Sequence, residues 1–444
     1  MESRPNILLI LSDQQRWDTL GCYGCPDNTS PNLDLLAREG TLFQQAFTCQ
    51  PVCGPARSCL QTGRYATETG CFTNHRRLPA GEVTIARLLR RAGYETAYLG
   101  KWHLASCGPE GGPDDFRTRP VPVDRRGGYE DFWLASDVLE FTSHAYDGYV
   151  FDSYGKRQDF PSGKYRVEVL TDWALEYLRT RHQDKPFFLF LSYVEPHHQN
   201  DHGHFEGPTG CRQMFSRYRV PGDLQNLKGD WEQEFPDYLG CCYALDQAVG
   251  KIRDFLESHG LWENTIFIYT SDHGCHFRTR NAEYKRSCHE SSIRIPLIIS
   301  GPGFNTGRTV TALVSLIDLP PTILQAAGVS IPEKMKGKPC QQLFSPEVPW
   351  PQEVFIQISE SQVGRAIRTS RWKYSVRAAG KNGLLDAGSD FYQEEFLYDL
   401  SEDPHEQNNL VREPRTVKVR RYLKGRLVAR MVQAGEKPPF IQPA

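Results

Sequence analysis

Short, strongly apolar runs recur along the chain at residues 6–11, 94–99, 186–194, 265–270 and 296–300. A run that is apolar on both faces cannot lie on a half-exposed sheet; it belongs in a parallel sheet covered on both sides. Between these runs, residues 31–40, 83–92, 167–179, 238–257 and 318–327 set their apolar side chains at helical spacing. Pro31 opens the first of these helices and Gly40 closes it. Strand–helix alternation through about residue 330 predicts an α/β fold built on a large, mostly parallel sheet.

The pattern then changes. Pro346, Pro349 and Pro351 predict a boundary, giving a catalytic domain over residues 1–345 and a C-terminal subdomain over 346–444. Shorter β-like pieces follow at 354–358, 364–369, 372–376 and 396–400, and a basic helix from about 414 to 434. These predict a small antiparallel sheet with one helix, packed on the main domain. The basic helix could cover a second copy of the chain, so a homo-oligomer is one expectation.

Composition narrows the partners. The 444 residues carry a net charge of -2, so bulk charge predicts no nucleic-acid partner. No apolar run reaches the ~18 residues of a membrane span, and none is expected. The first apolar run is short and has no small-residue cleavage site, so it reads as a strand and not as a secretion signal. Thirteen cysteines, an odd number, include one C-x-x-C at Cys22 and Cys25 and no second pair at zinc spacing. Free thiols in a reducing compartment are expected, hence a cytoplasmic protein.

In a parallel sheet the strand ends present ligands at one edge. Asp13 follows the first apolar run and Asp272 follows the fourth. Two acidic residues at equivalent strand exits suit a hard divalent cation. Between them in sequence comes Pro51-Val52-Cys53-Gly54-Pro55-Ala56-Arg57, with Thr62-Gly63-Arg64 shortly after. Residue 57 lies one helical turn from residue 53 if the segment is helical. The segment is expected to begin as a loop and continue as a helix.

The run Cys-x-Pro-x-Arg followed by Thr-Gly-Arg resembles the type I sulfatases, members of the alkaline phosphatase superfamily. The resemblance extends from Asn6 to Leu410, through Ser315-Leu316-Ile317-Asp318-Leu319-Pro320-Pro321 and Leu397-Tyr398-Asp399-Leu400. It implies an alkaline-phosphatase-like α/β/α sandwich with a smaller C-terminal subdomain. It further implies that a maturation enzyme oxidises Cys53 to formylglycine (3-oxoalanine), whose hydrated aldehyde attacks the sulfur of a sulfate ester. The substrate would be a sulfated small molecule or glycan.

The same resemblance assigns the site. Arg57 would grip the hydrated aldehyde and the bound anion. Lys101 would contact the anion and His103 would take a proton from the formylglycine hydroxyl. His197, with His198 as its rival, would protonate the leaving oxygen, and Lys285 would bind the sulfuryl oxygens. Asp13, Gln14, Cys53, Asp272 and His273 would hold the metal, Ca2+ in the family. The family pattern is Asp-Asp and Asp-Asn, whereas this chain has Gln14 and His273 as second members. Imidazole nitrogen suits Mn2+ or Zn2+ better than Ca2+, which leaves Mn2+ open. The departure also brings the chain closer to phosphonate monoester hydrolases, the alternative activity. Asn200, Asp201, His202 and His204 form a polar loop, readable as a substrate loop, a second metal site or a solvated loop. Arg278 and Arg280, between Asp272 and Lys285 in sequence, are readable as binding an acidic substrate such as a sulfated uronate or as simply solvated.

Overall fold

The computed structural model describes residues 4–345 and 347–444, so Pro346, one of the boundary prolines, lies outside the described residues. Its larger sheet has eleven strands. In chain order these are β1 (Asn6–Ser12), β2 (Thr41–Phe47), β3 (Glu95–Lys101), β4 (Phe132–Ser136), β5 (Tyr149–Asp152), β6 (Arg157–Asp159), β7 (Phe187–Ser192), β8 (Thr265–Ser271), β9 (Arg294–Ile295), β10 (Leu297–Ser300) and β11 (Arg308–Ser315). Across the sheet they run β11-β2-β10-β8-β1-β7-β3-β4-β5-β6, with β9 paired to β2. The central block β8-β1-β7-β3-β4 is parallel throughout. Ser12 stands opposite Ser271, Leu11 opposite Ser192, and Gly100 opposite Ser192. This register brings the C-terminal ends of β1, β3, β7 and β8 to one edge.

Both faces of the sheet are covered, as the continuous apolar runs require. Ile7, Leu9 and Leu11 of β1 join one buried cluster, and Leu8 and Ile10 join another. The first face is packed by helices Cys53–Thr62, Ile85–Arg91 and Leu319–Ala326 through Ala56, Leu60, Leu89 and Ile323. The second is packed by Pro31–Glu39, Arg166–Thr180 and Trp231–Ser258 through Leu36, Leu170, Leu245 and Ile252. Each such fully buried aliphatic side chain contributes on the order of 1.5–3 kcal/mol. Among the described residues, no helix is long and apolar enough to cross a membrane.

The smaller sheet contains β12 (Glu353–Ile358), β13 (Gly364–Thr369), β14 (Trp372–Arg377), β15 (Phe391–Asp399) and β16 (Phe440–Gln442), in that order. It is antiparallel except for β16, which pairs parallel to β15. Helix Val417–Gln433 buries Leu423, Leu427 and Met431 against it. These side chains, with Phe355, Ile367 and Tyr374, belong to the same buried cluster as the first face of the large sheet.

Two sequence expectations change in detail. The segment after Val52 does not begin as a loop: Cys53 is already the first helical residue, after an extended Val52 at φ -146°. The helix expected from residue 238 starts at Trp231 and carries Pro236 inside it. Proline reads as a breaker, but Phe235, Tyr238 and Leu239 pack this stretch into a separate buried cluster, and that packing outweighs the lost hydrogen bond.

Candidate active site

Four strand exits and one helix start converge at the C-terminal edge of the parallel block. Asp13 follows β1 and Asp272 follows β8; their backbone N–H groups donate to Glu195 O and Ser12 O. The Asp13–Arg16 loop is pinned from outside. The Tyr238 hydroxyl donates to Gln14 O and accepts from Arg16 N, and Arg16 forms a buried pair with Asp223 at 2.7 Å. Gln14 adopts φ +70° and donates its backbone N–H to Asp272 Oδ1 at 3.1 Å.

Cys53 opens a ten-residue helix in which every residue is buried. Its Sγ lies 2.9 Å from Lys285 Nζ, 3.2 Å from His273 Nε2 and 3.5 Å from Asp13 Oδ1. Burial raises the thiol's proton affinity, but Lys285, Lys101 and His273 outweigh it, and Cys53 is held well below the usual thiol range. The helix N-terminus acts in the same direction. One turn on, Arg57 points at the sheet edge. It donates to Asp272 at 3.1 Å, Asp13 at 3.0 Å, Lys101 O at 2.8 Å and Ser192 Oγ at 2.7 Å. Every nitrogen of its fork is committed there, so Arg57 clamps the two carboxylates together and does not reach into the cavity. The anion-gripping role expected for it has no counterpart among these contacts, which all lie at the sheet edge.

Lys101 is the last residue of β3, not a loop residue, and its side chain has no exposed surface. It sits between Asp13 and Glu140, 2.7 Å from each. The register of β3 directs it behind the cavity wall, which places it as a partner of carboxylates. His103 is two residues further, at φ +59°, in a loop whose N–H groups at Leu104, Ala105 and Ser106 all donate to Asp137. Its ring stands beside Cys53, with Nδ1 buried and unpartnered.

Lys285 and His197 complete the inner wall. Lys285 Nζ is 3.1 Å from His197 Nε2, 3.2 Å from His273 Nε2 and 3.4 Å from Gln14 Oε1. Burial, and then Lys285, hold His197 below the usual imidazole value, so its ring is neutral at pH 7. Asp13, Cys53, Asp272 and His273 form a wholly buried group whose ligand atoms lie within 4.8 Å of one another. Asp272 is pushed up to about 6 by burial and by Asp13. Two facing carboxylates with an imidazole and an amide oxygen beside them fit a divalent cation, which would relieve that repulsion.

A cavity of about 240 Å3 opens over Cys53. Gln14, His103, His197 and Lys285 line it, as do Asn200, Glu140, Asn74, Arg117, Tyr284 and Arg286. The other candidates from sequence lie elsewhere. His198 is buried behind Tyr284, stacked on its ring at 4.3 Å. His202 faces solvent, pairing with Glu206 and stacking on His144, and it shares a surface group with His144 and Asp201 whose ligand atoms are close enough for a metal. Arg280 donates to the backbone of His405 and Glu406, and Arg278 lies over the outer face of Tyr284. Loop geometry turns these two arginines away from the cavity, although their spacing from Asp272 suggested otherwise. Sequence reasoning missed Glu140, Asn74 and Arg286. Glu140 lies inside a single 3-10 turn, Leu139–Phe141, beyond the end of β4, and so lacks the strand-exit position that marks Asp13 and Asp272.

An α/β/α sandwich with a buried cysteine at a helix start, carboxylates at two strand ends and cationic and imidazole groups around them defines a hydrolase of alkaline-phosphatase-like fold. A family model for Sulfatase matches residues 5–329, and one for the C-terminal part of N-sulphoglucosamine sulphohydrolase matches residues 282–433. The chain belongs to the sulfatase family and is a sulfuric ester hydrolase. It is 30% identical to the sulfatase YidJ of Escherichia coli, over 94% of this chain and 85% of that protein. It is 29% identical to an ulvan-active sulfatase of Formosa agariphila, over 98% and 82%. With an N-acetylglucosamine-6-O-sulfatase of Bacteroides thetaiotaomicron it shares 25% identity over 92% and 82%. Among solved structures, yidJ of Bacteroides fragilis superposes with a TM-score of 0.83 over 98% of this chain and 97% of that one, at 24% identity. A phosphonate monoester hydrolase of Agrobacterium radiobacter reaches 0.72 over 97% and 96%, at 22% identity, a likeness of fold.

Proposed function

We propose that this protein removes sulfate from a carbohydrate, using position 53 as an oxygen nucleophile beside a divalent cation. The observation that carries the reading is the contact of Lys285 with both Cys53 and His197 in one small cavity, directly above the Asp13–Asp272 pair. Two relatives named for action on ulvan and on N-acetylglucosamine-6-sulfate support a sugar as the sulfate carrier. Oxidised to formylglycine by a maturation enzyme, residue 53 would offer a hydrated aldehyde, and a cation held by Asp13, Gln14, Asp272 and His273 would neutralise charge on the ester.

The chain's own groups then divide the work. Lys285 binds the sulfuryl oxygens from its place 2.9 Å from the nucleophile position. Departure of the leaving oxygen is assisted from the pair of Lys285 and His197, 3.1 Å apart, with Lys285 supplying the proton; His103 accepts a proton from the oxygen at position 53. Arg57 and Lys101 hold Asp13 and Asp272 in place from behind. The nitrogen of His273 among oxygen donors suits Mn2+ at least as well as Ca2+.

The test has two parts. Mass spectrometry of the peptide containing Cys53 should show the aldehyde in active preparations, and a screen of sulfated mono- and disaccharides should release inorganic sulfate. Turnover by protein carrying only the unmodified thiol would sink the formylglycine mechanism. Faster hydrolysis of an aryl phosphonate monoester than of every sulfate ester would move the activity to phosphorus.

A further inference from the structure

The catalytic cavity does not end at its rim. His75, Cys107 and Gly108 line both it and a second, larger chamber of about 830 Å3. The catalytic cavity alone falls below the ~300–1,000 Å3 of ordinary small-molecule sites. It holds little more than the sugar that carries the reacting group, and the neighbouring volume is open to whatever is attached to that sugar.

The wall of the second chamber is basic. Arg76, Arg77 and Arg125 line it with His75, against a single lining carboxylate, Asp124. Behind them Asp114 is shared: Arg125 donates to it at 2.6 Å and Arg77 Nη1 lies 3.1 Å away. Arg77 Nη1 is nonetheless buried without a properly directed hydrogen bond, as is the hydroxyl of Thr73 in the same wall. Arg76 lies over the Phe72 ring at 4.3 Å and is exposed, with no ion-pair partner among the described residues. Opposite, Leu384 and Leu385 are 43% and 69% exposed on the loop between β14 and β15. Guanidinium groups bind carboxylate and sulfate through paired N–H donors. Exposed leucines match the apolar C–H face of a pyranose.

We propose that this chamber is a subsite for the adjoining sugar of an anionic glycan, with Arg76 and Arg77 binding a second oxyanion, carboxylate or sulfate, on that sugar. The assignment rests on the carbohydrate-sulfatase reading of the adjacent cavity. It makes the preferred substrate a chain fragment with two charged sugars, not an isolated sulfated monosaccharide.

The experiment compares matched disaccharides in which the hydrolysed sulfate sits on the same sugar and the neighbour is a neutral hexose, a hexuronate or a sulfated hexose. The two charged neighbours should each raise kcat/KM about tenfold or more, mainly through KM, and their relative size identifies carboxylate or sulfate as the favoured group. Arg76→Ala and Arg77→Ala should each pull the charged-to-neutral ratio toward one, and Arg76→Lys should restore part of it; melting temperatures check that the variants are folded. Equal rates on all three substrates, or a ratio unchanged in a folded R76A/R77A double variant, overturns the subsite while leaving the sulfatase reading intact. Calorimetric titration of the three disaccharides into the Cys53→Ala protein reads the chamber without turnover. Tighter binding of the charged pair supports the subsite, and indistinguishable or absent binding overturns it, even if no sulfate ester is ever hydrolysed.

Discussion

Lys101 keeps a full charge with no exposed surface because two carboxylates, Asp13 and Glu140, face it from opposite sides. Burial alone would strip its proton; the two partners raise its affinity for it well above the ordinary lysine value. Glu140→Gln keeps one acceptor and removes the second charge. The expected result is a loss of about 1–3 kcal/mol in unfolding free energy by urea titration, together with a fall in kcat/KM as Lys101 draws Asp13 away from Asp272. An unchanged kcat/KM would mean that Lys101 does not set the position of Asp13. The Asp13–Asp272 pair makes a second prediction. Removing divalent ions with EDTA should abolish sulfate release and lower the melting temperature, and separate additions of Ca2+ and Mn2+ identify the resident ion by which restores both. Full activity in chelated, metal-free protein would exclude a catalytic cation.

At the scale of elements, the site depends on how closely β3 and β7 approach. Gly100 has φ +98°, and a Cβ there would stand 1.9 Å from Ser192 O, a backbone atom of the neighbouring strand. Gly100→Ala therefore has no small adjustment available. It should destabilise the protein by more than about 2 kcal/mol and misplace both Ser192, which holds Arg57, and the Lys101–His103 exit. Wild-type stability and activity in that variant would refute the close-packing argument. The strands that build this edge were legible in the sequence because β1, β7 and β8 are covered on both faces and so read as unbroken apolar runs. Strands β2 and β11 were not: Gln44 is exposed in the first, and the outer half of the second lies open at the sheet edge, so neither shows a clean period. The same division holds for the site. Asp13, Cys53, His103, His197, Asp272 and Lys285 stand at strand exits or in a recognisable motif. Glu140 lies in a single 3-10 turn and Arg286 in a loop, where spacing carries no directional information. That is also why Arg280 could be named as a substrate residue and yet turn to the backbone of residues 405–406.

For the molecule as a whole, the two sheets are joined by buried charge as well as by apolar contact. Lys373 of β14, with no exposed surface, lies 2.8 Å from Glu290 and 2.5 Å from Glu406, and Arg368 of β13 also reaches Glu290. Lys373→Ala leaves two buried carboxylates facing each other and should cost about 3–5 kcal/mol. Because Glu290 follows the Lys285 segment, kcat should fall with stability, and a variant with an unchanged melting temperature would show the seam to be unimportant. Acid should also weaken the fold. Burial holds His276 down to about 4 and His289 well below the usual imidazole value. The unfolded chain binds protons at both positions below about 6.5, which the folded chain refuses, so the stability they allow above that pH is lost as pH falls toward 4. In His276→Gln the decline between pH 6.5 and 4 should be shallower by on the order of 3 kcal/mol; identical slopes would remove His276 as a cause. The burial of Cys53, at 1% exposure, finally bears on time. A catalyst the size of a protein cannot touch that sulfur once the sheet has closed over it. During synthesis, however, residue 53 leaves the ribosome roughly 230 residues ahead of Lys285, a lead of about 10–50 s at ~5–20 residues per second. If an enzyme rewrites this side chain as proposed, it would work against the translation clock, and slowing or speeding elongation across that interval would change the fraction of molecules that are ever competent.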